Sequence, residues 1–327
     1  MDKVFSLTGK EQPTVTPEGE ISQPPSPPLT ITQTTKACLF DMDGTLIDSS
    51  PAVTAAWRLL KATGYDFLDL DDILASAHGY RTIDALRKWC KIKDEELLKK
   101  EVVRFENAIL ENASKAEGGG IIALPGVKDL LLQIQGGRTE DEQGWSVCTS
   151  STHFYASRAL PAAGLFIPKN FVTAESVSNG KPAPDPYLLG AKLSGVDPKD
   201  CVVFEDAPTG IRAGKAAGCL VLATCTSHTR KALEKENPDF LVDDLSHVTA
   251  QRNADGTVSL FIQQPAGRSY PDSAVPTPAD TPLHTPALSR AGSAESLAWR
   301  AKVDAERGET KADDYGALPG AKAQRAF

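Results

Sequence analysis

The feature that most restricts the fold is a regular alternation of short apolar runs with helical patterns in the second half of the chain. The apolar runs are continuous, which is typical of strands buried on both faces of a parallel sheet. The alternation predicts an α/β fold, a Rossmann-like parallel sheet with helices on both faces. The predicted strands are 37–40, 145–148, 171–172, 201–204, 218–223 and 240–242, the helices between them are 126–135, 153–163, 184–195 and 208–217, and a hairpin is predicted around 253–256.

One long segment interrupts this alternation. Residues 51–117 have helical patterns and no strand signal. Pro51 stands where proline favours the start of a helix, and three glycines follow the segment. The sequence therefore predicts a helical cap that is inserted after the first strand of the sheet. The predicted cap spans 51–120, and the predicted α/β core comprises 35–50 and 121–264.

The prolines mark the ends of the folded part. Of the 23 prolines, six lie in residues 1–34 and seven in residues 265–327. Segments rich in proline, threonine and serine contain too few apolar residues to form a packed core. We therefore expect both segments to be disordered tails.

Charge and cysteine content exclude several classes of protein. The net charge is −8, and an acidic surface disfavours binding to nucleic acid or to an anionic membrane. No apolar run is long enough for a membrane span, and residues 1–30 lack the apolar segment of a secretory signal. The six cysteines form no Cys-x-x-Cys pair, which is typical of reduced thiols inside the cell. We therefore expect an intracellular, cytoplasmic protein.

Four groups of polar residues stand where predicted strands or loops end. They are Asp41 with Asp43, then the segment 149–152 (Thr-Ser-Ser-Thr), then Lys181, and lastly Glu205 with Asp206. Ligands bind at the carboxyl ends of the strands in an open α/β sheet, so we expect the four groups to converge. Acids that leave a buried strand need a compensating cation, and such oxygen ligands suit Mg²⁺.

Each of these groups also has an ordinary structural interpretation. Acids and hydroxyls after a strand often form turns or cap the next helix, and a loop lysine is usually exposed to solvent. What favours a chemical role is the order of the four groups along the chain.

In this order the motifs resemble those of the haloacid dehalogenase-like hydrolase superfamily. Three longer segments, 39–48, 76–84 and 204–211, are similar to its fungal branch of glycerol-phosphate phosphatases and 2-deoxyglucose-6-phosphate phosphatases. The resemblance covers about residues 36–262 and includes neither tail. It implies a Mg²⁺-dependent phosphatase of small polyol or sugar phosphates that works through an aspartyl-phosphate intermediate.

The resemblance implies a role for each residue of the core site. Asp41 would be the nucleophile that attacks phosphorus. Asp43 would protonate the leaving alcohol and then accept the proton of the hydrolytic water. Ser150 and Lys181 would hold the phosphoryl oxygens.

The resemblance also implies the ligands of the metal ion. Mg²⁺ would bind the Asp41 side chain, the backbone carbonyl of Asp43 and the Asp206 side chain, and Glu205 would support it as a nearby acid. The metal would offset the mutual repulsion of acids and phosphate. This would explain how an acidic protein binds an anionic phosphate ester.

In the cap, His78 and Arg81 would face the substrate, although a surface histidine and a surface arginine are the ordinary alternative. One departure concerns the second motif. Ser151 and His153 stand where we expect glycine and arginine in the yeast-type enzymes. The departure affects the residues around the substrate, and it leaves open which alcohol is released.

Two other functions remain open at this stage. The chain could be a sugar-phosphate mutase of the same superfamily, which would return the phosphate to a sugar and need a bisphosphate activator. It could also be a non-catalytic regulatory protein that acts through its tails. The presence of Asp41, Asp43, Ser150, Lys181 and Asp206 argues against a silent protein.

Overall fold

A parallel β-sheet lies at the centre of the fold. The computed structural model describes residues 29–115, 120–137 and 144–264. Its strands are β1 (Leu29–Thr35), β2 (Ala37–Phe40), β3 (Ile47–Asp48), β4 (Ile122–Ala123), β5 (Trp145–Cys148), β6 (Phe171–Val172), β7 (Cys201–Glu205), β8 (Leu220–Thr224), β9 (Phe240–Val242), β10 (Val248–Arg252) and β11 (Val258–Gln264). The parallel sheet has the spatial order β6-β5-β2-β7-β8-β9, which confirms the predicted α/β fold.

Helices cover both faces of this sheet. They are α1 (Ser50–Ala62), α2 (Leu70–Ser76), α3 (Thr82–Trp89), α4 (Glu95–Lys115), α5 (Val127–Gln135), α6 (His153–Ala162), α7 (Asp185–Leu193), α8 (Pro208–Ala216) and α9 (Arg230–Glu234). Buried residues of α5 and α6 pack on one face, and those of α7, α8 and α9 pack on the other. The bounds of the predicted strands and helices differ from the observed ones by no more than two residues.

The continuous apolar run of β2 is explained by its central position. Its side chains alternate between two apolar clusters: Cys38 and Phe40 pack in one, and Ala37 and Leu39 in the other. All four are buried. The Phe40 ring stacks on that of Phe204 in β7, with 4.2 Å between the ring centroids. A strand with neighbours on both faces has no position for a polar side chain until it ends.

The helices α1 to α4 form the predicted insert. The chain enters the insert after β3 and leaves it before β4, and these two short strands pair antiparallel. Inside the insert, α1 packs against α4, and the rings of Trp57 and Phe105 lie 4.7 Å apart. All of the described residues belong to one compact unit, so the insert packs on the rest of the fold.

The N-terminal boundary of the fold differs from the prediction. Residues 29–34 were expected in a disordered tail, but β1 spans Leu29–Thr35 and pairs antiparallel with the whole of β11. The prediction is therefore wrong for residues 29–34, because a run rich in the β-branched residue threonine forms a strand despite its polarity. The other strand beside β11 is β10, as the hairpin signal predicts. The remaining tail residues, 1–28 and 265–327, lie outside the described residues.

The thiols agree with another expectation. Five of the cysteines are buried free thiols, namely Cys38, Cys90, Cys148, Cys201 and Cys219, as predicted for reduced thiols. In the described part of the chain, no helix combines the length and the apolarity that a bilayer crossing requires.

We predict that β1 contributes to the stability of the fold. A chain that starts at residue 36 should have a free energy of unfolding about 2–4 kcal/mol lower than a chain that starts at residue 29. The shorter chain loses a paired strand. It also loses the buried Thr35 hydroxyl, which donates to the carbonyls of Ala37 and Asp200. Urea denaturation of both proteins measures this difference. Equal midpoints would contradict the assignment of β1 to the folded unit.

Candidate active site

The four predicted polar groups meet at the carboxyl ends of β2, β5 and β7. Lys181 lies in the loop before α7, and its Nζ donates to Asp41 Oδ1 at 2.5 Å and to Glu205 Oε1 at 2.7 Å. Asp41 follows β2, and Glu205 is the last residue of β7. The Lys181 side chain is fully buried, and those of Asp41 and Glu205 nearly so. The structure thus joins residues that are 164 positions apart in one ion-pair network.

The network contains more negative than positive charge. Carboxylate oxygens of Asp41, Glu205 and Asp206 lie within 4.8 Å of one another, and Lys181 offsets one of these charges. Burial raises the pKa of Asp41 to about 7, although Lys181 opposes the shift. Burial, with the charges of Asp41 and Glu205, also raises the pKa of Asp206 well above its usual range. An oxygen-rich site with unbalanced negative charge suits a divalent cation such as Mg²⁺.

Glu205 has all of its acceptor positions used by the protein. Its Oε1 accepts from Lys181 and, at 2.6 Å, from the hydroxyl of Tyr187. Its Oε2 accepts from the backbone N–H groups of Asp206 and Ala207 at 3.0 and 3.1 Å. Glycine is required at 210, since a Cβ there would overlap the Glu205 carboxylate. Glu205 therefore anchors Lys181 and is less available as a metal ligand than Asp41 or Asp206.

Asp206 lies against the loop that follows β2. Gly44 has a φ of +90°, and a Cβ at this position would overlap the Asp206 carboxylate. The Asp206 carboxylate accepts from the hydroxyls of Thr45 and Ser227, and the Thr226 hydroxyl donates to the Gly44 carbonyl. The four polar groups predicted from the sequence do not include Thr226 and Ser227, although these residues follow β8 just as Ser150 and Ser151 follow β5. Hydroxyl residues directly after a strand are the sequence signal that both pairs share.

Asp43 is held by three hydroxyl groups. Its Oδ1 accepts from Ser49 at 2.6 Å and from Tyr155 at 3.0 Å, and its Oδ2 accepts from Ser151 at 2.8 Å. Ser49 precedes α1, Ser151 follows β5, and Tyr155 belongs to α6. Nothing in the sequence connects Ser49 or Tyr155 with Asp43, because neither belongs to a predicted motif.

Ser150 connects the core to the helical insert. Its hydroxyl donates to the carbonyl of Gly79, in the loop between α2 and α3, at 2.9 Å. Gly79 has a φ of +81°. Ser150 also lines the cavity described below, beside Asp41 and Asp43.

The two predicted residues of the insert differ in their positions. His78 lines the cavity and contacts His228 edge to face, with ring centroids 5.7 Å apart. Burial lowers the pKa of His78. Arg81 does not line the cavity. Its guanidinium donates to Asp84 at 2.6 Å and to the carbonyl of Ser178 at 3.2 Å. The structure thus brings His78 to the site and uses Arg81 to link the insert to the loop before Lys181.

A cavity lies between the insert and the strand ends. Its empty space, counted together with the solvent at its open mouth, is about 770 Å³. Its core side carries acids and hydroxyls, whereas its insert side is mainly apolar. The core side is lined by Asp41, Asp43, Thr149, Ser150, Ser151 and Tyr155, and the apolar insert side by Val53, Trp57, Ile73, Leu74, Ala85, Phe105 and Ile109.

A buried acid in the insert, Glu106 of α4, also contacts the core. Its carboxylate accepts from the hydroxyl of Thr82 at 3.0 Å and from that of Thr152, the residue that caps α6. Burial raises the pKa of Glu106 to about 7, although both hydrogen bonds oppose the shift. Glu106 therefore joins α4 to the loop that carries Ser150 and Ser151.

Comparison with known proteins agrees with this arrangement. Residues 35–218 match the model of the haloacid dehalogenase-like hydrolase family. Hexitol phosphatase A from Escherichia coli is 39% identical over 226 residues, which are 69% of this chain and 98% of that protein. Glycerol-1-phosphate phosphohydrolase 2 from Saccharomyces cerevisiae is 36% identical over 63% of this chain and 81% of its own length. A crystal structure of a hydrolase from Pseudomonas syringae superposes with a TM-score of 0.55 at 27% identity, covering 64% of this chain and 94% of that one.

We predict that Glu106 makes the stability of the protein depend on pH. The pKa of Glu106 is raised from 4.5 to about 7, so the folded protein binds this proton more tightly than the unfolded chain does. As the pH rises from about 4.5 to about 7, the loss of the proton therefore lowers the free energy of unfolding. Glu106→Gln has no proton to lose. We compare the free energy of unfolding of this variant with that of the unsubstituted protein. The difference, variant minus unsubstituted protein, should be about 2 kcal/mol larger at pH 8 than at pH 5.

Urea denaturation at both pH values measures this difference. Glu96→Gln, which removes an exposed acid from the same helix, is the matched control and should show no such pH dependence. An equal effect of the Glu106 substitution at both pH values would contradict the prediction.

Proposed function

Because the chain belongs to the haloacid dehalogenase-like hydrolase family, we propose that it is a Mg²⁺-dependent phosphatase of small polyol or sugar monophosphates. The observation that carries the proposal is the buried network in which Lys181 lies between Asp41 and Glu205, beside Asp206, at the strand ends. Groups with such shifted pKa values cluster at functional sites, because an unused cluster of buried acids would only cost stability. This also disfavours a non-catalytic protein.

In the proposed reaction, an Asp41 carboxylate oxygen forms a bond to phosphorus while the bond from phosphorus to the alcohol oxygen breaks. The leaving oxygen takes a proton from Asp43, which gives the free alcohol and an aspartyl-phosphate. Water then attacks phosphorus and gives a proton back to Asp43, so that inorganic phosphate leaves and Asp41 is restored. Lys181 and Ser150 hold the phosphoryl oxygens, and Glu205 keeps Lys181 in place.

The donor set of the site suits a divalent metal ion. Asp41 and Asp206 are the side chains best suited to hold it, because both are buried and carry charge that Lys181 does not balance. The Asp43 carbonyl is a third proposed ligand, and Glu205 acts through Lys181 rather than as a direct ligand. When bound, Mg²⁺ would neutralise the charge of the transferred phosphoryl group.

The cavity supports a substrate with one phosphate and an uncharged alcohol. Beyond the acids and hydroxyls of the core, it offers mainly apolar side chains, together with His78, Tyr80 and Thr82 of the insert. A second phosphate placed against Trp57 or Phe105 would lose its hydration without gaining a cation there. This disfavours the mutase alternative, which needs a bisphosphate. The two phosphatase relatives named above are named for hexitol and glycerol phosphates, which supports a small polyol.

The proposal includes the cellular setting of the enzyme. Five buried free thiols are compatible with the reducing cytoplasm. A small substrate that binds in the cavity of one chain requires no partner chain, and we propose a monomer that binds neither nucleic acid nor membrane.

We predict that Asp41→Asn abolishes hydrolysis. The purified protein with Mg²⁺ should release phosphate from at least one member of a panel of glycerol phosphate, hexitol phosphates, 2-deoxyglucose-6-phosphate and common hexose phosphates. The amide cannot attack phosphorus, so the rate should fall at least about 10³-fold. The control is Asp129→Asn, an exposed acid on α5, which should retain full activity. Unchanged turnover by Asp41→Asn would disprove the mechanism.

We further predict that two neighbouring acids differ in their effect on metal use. Chelation should remove the activity, and Mg²⁺ should restore it. Asp206→Asn should raise the Mg²⁺ concentration for half-maximal rate about 10-fold or more. Glu205→Gln should lower kcat, because it weakens the contact that holds Lys181 in place, but it should change the Mg²⁺ concentration for half-maximal rate by no more than about 3-fold. Measuring the rate as a function of Mg²⁺ concentration gives both kcat and this half-maximal concentration. If Glu205→Gln raised the half-maximal concentration and Asp206→Asn did not, Glu205 would be the metal ligand.

A further inference from the structure

Three hydroxyl groups hold the two oxygens of Asp43. Ser49 and Tyr155 donate to Oδ1, and Ser151 donates to Oδ2. Bonds to both oxygens fix the rotation of the carboxyl group, which bonds to one oxygen leave free. Two of these donors, Ser151 and Tyr155, belong to the segment formed by the loop after β5 and α6, and both line the same cavity as Asp43.

The two donors are themselves held in place. Tyr155 is 2% exposed, its ring packs in the larger apolar cluster, and its backbone N–H donates to the Thr152 side chain. The backbone N–H of Ser151 donates to the Thr149 hydroxyl at 3.0 Å. The Asp43 carboxyl is therefore clamped by groups whose own positions are fixed by the core.

We propose that Ser151 and Tyr155 are positioning residues for Asp43, which orient its carboxyl group toward the leaving oxygen of the substrate. A hydroxyl can donate to a carboxylate and can also accept from a carboxylic acid. The clamp therefore holds in both protonation states that Asp43 passes through during the reaction.

This inference rests on the proposed function and predicts a dependence on the leaving group. An alkoxide is a poor leaving group and needs a proton from Asp43, whereas p-nitrophenolate leaves without one. A loose Asp43 should therefore slow the formation of the aspartyl-phosphate from alkyl phosphates and spare its formation from p-nitrophenyl phosphate. This first step sets kcat/KM, whereas the later attack of water also uses Asp43 and is common to both substrates. A residue that only supports the fold would affect both substrates equally.

The test compares Ser151→Gly, Tyr155→Phe and the double variant on the best alkyl phosphate of the panel and on p-nitrophenyl phosphate, with Mg²⁺. We expect kcat/KM for the alkyl phosphate to fall about 10-fold in Ser151→Gly, by a smaller factor in Tyr155→Phe because Ser49 still donates to Oδ1, and further in the double variant. For p-nitrophenyl phosphate, kcat/KM should stay within about 3-fold in all three variants. Ser151→Thr, which keeps the hydroxyl, should retain most of the alkyl phosphatase activity.

Two matched controls remove a hydroxyl away from the cavity. They are Ser157→Ala on the same helix as Tyr155, and Tyr65→Phe in the insert. Both should keep the activity on both substrates, and circular dichroism should show that every variant is folded.

Equal losses on the two substrates, or no loss on either, would overturn the positioning role. The Asp41→Asn variant separates this outcome from a failure of the proposed function. If Asp41→Asn abolishes both activities while Ser151 and Tyr155 have no selective effect, only the positioning role is wrong. If the unsubstituted protein hydrolyses neither ester, the proposed function and the positioning role are both wrong. The same holds if the Asp41→Asn variant retains the hydrolysis of either ester.

Discussion

The ion pairs of Lys181 constrain the rest of the site. A lysine without solvent contact is stable only beside negative charge, and Asp41 and Glu205 supply it from the ends of two neighbouring strands. Burial alone would lower the pKa of Lys181, but the two carboxylates raise it, so the side chain stays charged. β2 and β7 pair side by side in the sheet, so their ends place Asp41 and Glu205 together, and the loop before α7 brings Lys181 to both.

The remaining charge determines how the surrounding chain must be built. Asp206 is buried next to Asp41, and its carboxylate fits only because residue 44 has no side chain. Hydroxyls from Thr45 and Ser227 bind this carboxylate, and those of Ser49, Ser151 and Tyr155 bind Asp43. Neutral donors of this kind satisfy an acid without adding a competing cation. The site therefore keeps its excess negative charge, which suits a metal ion and, through it, an anionic substrate.

Much of this arrangement could be predicted from the sequence, because buried parallel strands are continuous apolar runs and their polar ends must converge. What could not be predicted depends on pairing or on the direction of side chains. β1 is polar enough to resemble a tail, and only its partner β11 makes it a strand. Arg81 stands beside a cavity residue, yet Asp84 and the Ser178 carbonyl turn its guanidinium elsewhere. Tyr155 lies within a helix, and only the packing of α6 directs its hydroxyl to Asp43.

The pairing of β3 with β4 has a consequence for how such a protein can diversify. The chain leaves for the helical insert and returns from it at adjacent residues, Asp48 and Ile122. The insert therefore connects to the core in the same way as a long surface loop. The entropy of closing such a loop depends only weakly on its length. Every residue that we propose for bond making and breaking lies outside the insert. Helices of another size or lining could thus replace α1 to α4 without disturbing the charges below, so that the chemistry is retained while the choice of alcohol changes.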